Sequence, residues 1–181
     1  MKKTFLTKGA LTTRRLAVCS FLTALGVVFM LVGALTEILD LTMMLLSSLC
    51  IVFAVIEIGI PWAWLVWAAT SLLSFLFLPS KSAALLYLLG GFYPIVKAGL
   101  EKLRPIAAWA LKILFFTAEQ FLFVLIAQKV LGLTGAGYGL AIVETVLAVI
   151  VFVLYDLCLT ACITTYLIRL RRRLKIKNLR D

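Results

Sequence analysis

The chain has 181 residues, 64% of them hydrophobic, with a mean hydropathy of +1.15 and a formal net charge of +10. A water-soluble domain of this size cannot carry so much apolar surface without associating, which leaves an integral membrane protein. The chain contains no histidine, which removes haem ligation, most zinc sites and imidazole acid–base catalysis.

A span needs about 20 apolar residues to cross a hydrocarbon layer of roughly 30 Å. Hydropathy and its punctuation predict six helices, at residues 16–36, 43–60, 62–78, 82–96, 106–127 and 139–168. Pro61 and Pro79 fall where helices start or stop, as proline's missing donor favours. The expected fold is an all-α integral membrane protein with six transmembrane helices and both termini cytoplasmic. It forms a single membrane domain over residues 1–181, with basic tails at 1–15 and 169–181.

The first span carries a strip of small residues, Ala17, Ser20 and Ala24, of the kind that lets membrane helices approach closely. Its partner is either a helix of the same bundle or another subunit. The following connection holds Glu37 and Asp40 and is the only acidic outer loop, fit to attract a cation. Glu57, near the cytoplasmic end of the second span, is expected to pair with Lys97 or Lys102. Trp62, Trp64 and Trp67 at the start of the third span read as an interfacial anchor. The fourth span is short and is interrupted by Gly90-Gly91-Phe92-Tyr93-Pro94. Pro94 cannot donate to the Gly90 carbonyl, and broken helices are where transporters tend to place binding sites.

The last two spans contain the costliest residues, because a charge facing lipid costs about 2.5–3.5 kcal/mol. Counted from the predicted helix ends, Glu119 lies roughly 20 Å from the cytoplasmic side and Asp156 roughly 18 Å. Both acids are therefore expected at one level near the midplane. Lys112, two turns below Glu119, either neutralises one of them or leaves them to form a ligand or cation site or a proton relay. Cys19, Cys50, Cys158 and Cys162 are scattered inside helices and read as core-filling residues.

Orientation follows from the basic residues. With both termini inside, 15 of the 18 lie in cytoplasmic segments, and only Lys81 and Lys129 fall outside. The cluster Arg171-Arg172-Arg173 then anchors to anionic lipid headgroups, and nucleic acid is not an expected partner. No nucleotide-binding loop, catalytic motif or cofactor motif is present. The expectation is therefore no enzyme, no cofactor and no metal, with any ATP-driven step left to another subunit.

A six-helix, 20 kDa chain with a basic N-terminal segment, a small-residue first helix and an outer loop after it resembles the substrate-binding S components of energy-coupling-factor transporters. In that family the first helix carries an Ala-x-x-x-Ala-like strip that docks on the coupling subunit, matched here by Ser20-x-x-x-Ala24 with Ala17 before it. The resemblance implies a substrate-capture subunit for a vitamin-like micronutrient in the bacterial cell membrane, partnered by membrane coupling and ATPase subunits. Carried over by region, its site would draw on Glu37, Asp40, Tyr93, Glu119, Glu144, Tyr155 and Asp156. An electronegative outer half flanked by Tyr93 and Tyr155 favours a small cationic or amine-bearing, thiamin-like solute. The alternative is a small membrane scaffold of the rod-shape-determining type, without a substrate.

Overall fold

A computed structural model describes the backbone of residues 2–36, 39–101, 105–131, 138–166 and 168. Side chains are described at 12–36, 39–101, 108–122, 126, 146–166 and 168. The elements are α1 (Lys2–Thr36), α2 (Asp40–Glu57), α3 (Ile60–Phe77), α4 (Lys81–Gly90), α5 (Tyr93–Leu100), α6 (Pro105–Leu131) and α7 (Tyr138–Thr165). No strand occurs among the described residues.

Five helical stretches are long and apolar enough to cross a membrane: Thr12–Thr36, Asp40–Glu57, Ile60–Phe77, Lys81–Leu100 and Val146–Thr165. The protein is thus a multi-pass membrane protein by the length and composition of its helices. α6 has 27 residues, about 40 Å at 1.5 Å per residue. Large apolar side chains cover the outside, among them Leu65, Leu72, Phe75 and Leu76 on α3 and Leu147, Ile150 and Leu154 on α7. Ser47, Ser48, Thr70, Ser71 and Ser74 are buried instead. Apolar outside and polar inside is the arrangement hydrocarbon solvent selects.

Residues 2–15 are helical and continuous with the first span in α1. The fourth span, expected to be interrupted at Gly90–Pro94, is two helices, α4 and α5, parted at Gly91-Phe92. Pro94 occupies the first turn of α5, where its missing N–H costs nothing, and the Ile95 amide turns back to the Phe92 carbonyl at 2.9 Å.

The chain divides into two compact units, and the division falls within α5. Met1–Ile95 holds α1–α4, and Val96–Leu170 holds most of α5 with α6 and α7. In the first unit α1 packs through Cys19, Leu22, Met30 and Ala34 onto a core with Ile51, Ala54, Val66 and Tyr87. Close approach depends on glycines two turns apart. A Cβ on Gly33 would lie 2.9 Å from Met43 Cβ, and one on Gly26 3.0 Å from Ser47 Oγ. The small strip Ala17, Ser20 and Ala24 is on another face of α1 and is exposed.

Local polar bonds finish the helix ends. Ser80 caps α4 by accepting from the Ala83 amide. The Lys81 ammonium donates to the carbonyls of Phe75 at 2.8 Å and Leu78 at 3.1 Å, closing the end of α3. Trp64 and Trp67 meet edge to face at 5.4 Å, and both lie against Phe92, so these tryptophans also pack on the helix break.

Gly33→Val should lower thermal stability in detergent by about 1–3 kcal/mol, since the Met43 Cβ moves only with its backbone. Gly99→Ala, with nothing within 4 Å of the added carbon, should be neutral or stabilising by up to about 1 kcal/mol. Equal effects at both positions would contradict this packing.

Candidate functional site: a buried Lys–Asp–Lys cluster

Within the second unit, three charged side chains from three helices meet out of contact with solvent or lipid. Lys97 of α5 is 1% exposed, Asp156 of α7 2% and Lys112 of α6 6%. The Lys97 ammonium makes a short bond to Asp156 Oδ1, and it donates to the Asp156 carbonyl at 3.0 Å and to Thr160 Oγ1 at 2.6 Å. Lys112 donates to Asp156 Oδ1 at 3.2 Å and Oδ2 at 3.0 Å. Its ammonium also stands 5.3 Å from the centre of the Trp109 ring. Thr160 completes the network by donating to the Asp156 carbonyl at 2.8 Å.

Two buried cations thus share one buried anion. The compensating charge is Glu101, 3.4 Å from Lys97 and 4.0 Å from Lys112, whose side chain is 46% exposed. Buried ions are tolerated only when paired and hydrogen-bonded, and removal of one partner typically costs about 3–5 kcal/mol. Asp156 is therefore the hub that joins α5, α6 and α7.

The cluster fixes the register of α6 against α7. Lys112 meets Asp156, and one turn further on Phe116 stacks on Phe152 with ring centres 4.3 Å apart. Continuing antiparallel, Glu119 comes level with Val149, seven residues and about 10 Å from Asp156 along the helix. The expectation that the two acids share a level is corrected. The alternative that Lys112 neutralises one of the acids holds at Asp156, and this pairing draws Asp156 to a level two turns nearer the start of α6 than Glu119. Glu119 is half-buried and has no ion-pair partner among the described residues.

The other expected residues are dispersed. Asp40 opens α2, half-buried, where the positive end of the helix dipole favours a carboxylate. Tyr93 is buried at the start of α5, in the first unit. Tyr155 is half-buried beside Asp156 in sequence. Glu37 and the side chain of Glu144 lie outside the described residues, as does Lys102. Lys97, expected to serve Glu57, is held by Asp156, Glu101 and Thr160. Its role was missed because it stands at the edge of a charged stretch, although Ile95, Val96, Ala98 and Leu100 around it are apolar.

Asp156→Asn should destabilise the protein by about 3–5 kcal/mol in thermal unfolding, because it strands two buried ammonium groups. Glu119→Gln should change stability by less than about 0.5 kcal/mol, having no ion pair to break. Matching effects at the two acids would show that the cluster does not organise these helices.

No family model, curated protein or solved structure matches this chain.

Proposed function

We propose that the protein is the substrate-capture subunit of a micronutrient uptake transporter in the bacterial plasma membrane, energised by separate coupling and ATPase subunits. In this reading it has six transmembrane helices with both termini cytoplasmic, α6 spanning in addition to the five stretches named above. The observation that carries it is the broken span: a 20-residue apolar stretch, Lys81–Leu100, is interrupted midway and brings Lys97 into a buried ion cluster. Discontinuous helices that deliver polar groups into a membrane bundle are characteristic of solute-handling proteins.

The exposed strip on α1 supports a partner subunit. Ala17, Ser20 and Ala24 are exposed, while the packed side of the same helix is built on Gly26 and Gly33. The Ser20 hydroxyl is bonded back to the Leu16 carbonyl at 3.0 Å, so the strip offers a smooth, hydrogen-bonded surface to another helix. Asp156 already holds two ammonium groups, which leaves Glu119, with no ion pair among the described residues of α6 and α7, as the acid of that unit to receive a cationic solute.

Purification of the tagged protein from its native membrane in mild detergent should recover a membrane coupling subunit and an ATPase. Ser20→Leu or Ala24→Leu should lower that recovery at least tenfold without lowering thermal stability, since both side chains are exposed. Recovery of cell-wall assembly proteins instead, insensitive to both substitutions, would favour a scaffold.

A further inference from the structure

The ion cluster carries a charge imbalance that its buried members do not resolve. Lys97, Lys112 and Asp156 are all more than nine-tenths buried, and together they hold one positive charge in excess. Among the described residues, the carboxylates within ion-pair distance of either ammonium are Asp156 and Glu101. The excess therefore falls to Glu101, the half-exposed member of the group. A buried cation is costly unless it is paired, so the place taken by the Glu101 carboxylate must hold negative charge.

The hydrogen bonds show where that demand is unmet. An ammonium carries three N–H donors. Those of Lys97 are engaged by Asp156 Oδ1, the Asp156 carbonyl and Thr160 Oγ1. Lys112 donates to Asp156 Oδ1 and Oδ2, both on one carboxylate. Its remaining donor has no acceptor within hydrogen-bonding distance among the described residues, because Glu101 Oε1 stands 4.0 Å away.

Glu101 is a poor occupant of this position. It follows the last residue of α5, and its amide donates to the Lys97 carbonyl at 2.9 Å, continuing the helical turn. A carboxylate at this end of a helix faces the negative pole of the dipole. Tethered one turn from Lys97, it reaches that ammonium at 3.4 Å and Lys112 at 4.0 Å, both through Oε1. A charge-assisted bond is shorter, about 2.7–2.9 Å. Because the side chain is 46% exposed, it can turn out of the cluster. The point it vacates, between two ammonium groups, is the room available to another oxygen.

We propose that Glu101 is a displaceable counter-ion seated in a phosphoryl-anion site, where a phosphoryl oxygen replaces its Oε1 between Lys97 and Lys112. A tetrahedral phosphoryl group presents oxygens in several directions and has no tether to α5. It can therefore meet the open donor of Lys112 at bonding distance while it lies against Lys97, and its charge neutralises the same excess. Free phosphate and a phospholipid headgroup offer this same chemistry. The proposal stands on the ion cluster alone and does not require that the chain work in transport.

The test is thermal unfolding of the full-length protein, with inorganic phosphate replacing chloride at constant ionic strength in an uncharged detergent. Glu101→Gln keeps the side chain's shape at an exposed position but removes the internal competitor. It should be stabilised by phosphate at a concentration at least tenfold lower than wild type requires. Glu119→Gln removes an equal charge elsewhere and should respond as wild type does. Lys112→Gln added to Glu101→Gln leaves the Lys97–Asp156 pair in balance and should abolish the response. The same variants in phosphatidylcholine nanodiscs, with and without phosphatidylglycerol, separate the two sources. Stabilisation of Glu101→Gln by phosphatidylglycerol, with no further effect of phosphate, identifies a headgroup; a phosphate response that the lipid leaves unchanged identifies the free anion. Three results would overturn the proposal. In the first, Glu101→Gln responds to phosphate no more than to chloride and to phosphatidylglycerol no more than to phosphatidylcholine. In the second, Glu119→Gln sharpens the response as much as Glu101→Gln. In the third, the double variant still responds as Glu101→Gln does.

Discussion

A polar group in hydrocarbon has no water to turn to, and an unsatisfied one costs several kcal/mol. Most of what distinguishes this bundle follows from where its polar groups find partners. Backbone groups are absorbed by helices. Several single hydroxyls are absorbed by the preceding turn, as at Ser48 and Thr164. The last carbonyls of α3 are taken by Lys81. What cannot be absorbed locally must be matched across helices, and that requirement selects Asp156 as the meeting point of α5, α6 and α7.

The ion cluster shows how one such match propagates. A carboxylate shared by two ammonium groups determines which turn of α6 faces which turn of α7, and the Phe116–Phe152 stack follows in the same register. The helix break at Gly91-Phe92 and the restart at Tyr93-Pro94 then set the course of α5, whose Lys97 enters the cluster. Breaking a span exposes backbone groups, which is costly in lipid. Here the interruption is packed by Trp64, Trp67 and Phe92. The buried hydroxyls of Ser47, Thr70, Ser71 and Ser74 stand apart from this pattern, being bonded to no carbonyl of their own helices.

Much of the helical framework was legible in the sequence, because hydropathy and proline report directly on solvent and on the missing donor. The bounds of α2 and α3 agree with expectation within about three residues. Pro94 correctly located the interruption of the fourth span. The pairing was harder to read. Depth counted from helix ends is insensitive to the attraction that fixes register, so Glu119 was matched with Asp156 although Lys112 holds the latter. Lys97 was assigned to the surface because its neighbours in sequence are charged on one side. On α1 the small residues at 17, 20 and 24 form one visible strip, while the close packing rests on Gly26 and Gly33, whose seven-residue spacing is an equally visible signal. Which face of a helix is covered depends on its neighbours, and one strip alone does not contain that information.

The central claim is that Lys97, Lys112 and Asp156 are engaged with one another across α5, α6 and α7. A thermodynamic cycle on Lys112→Met, Asp156→Leu and the double substitution, measured by reversible unfolding in detergent, addresses it most directly. The account predicts a coupling above about 1 kcal/mol, with the double variant more stable than the sum of the single effects implies. Additivity within about 0.3–0.5 kcal/mol would contradict it, and with it the register of α6 on α7.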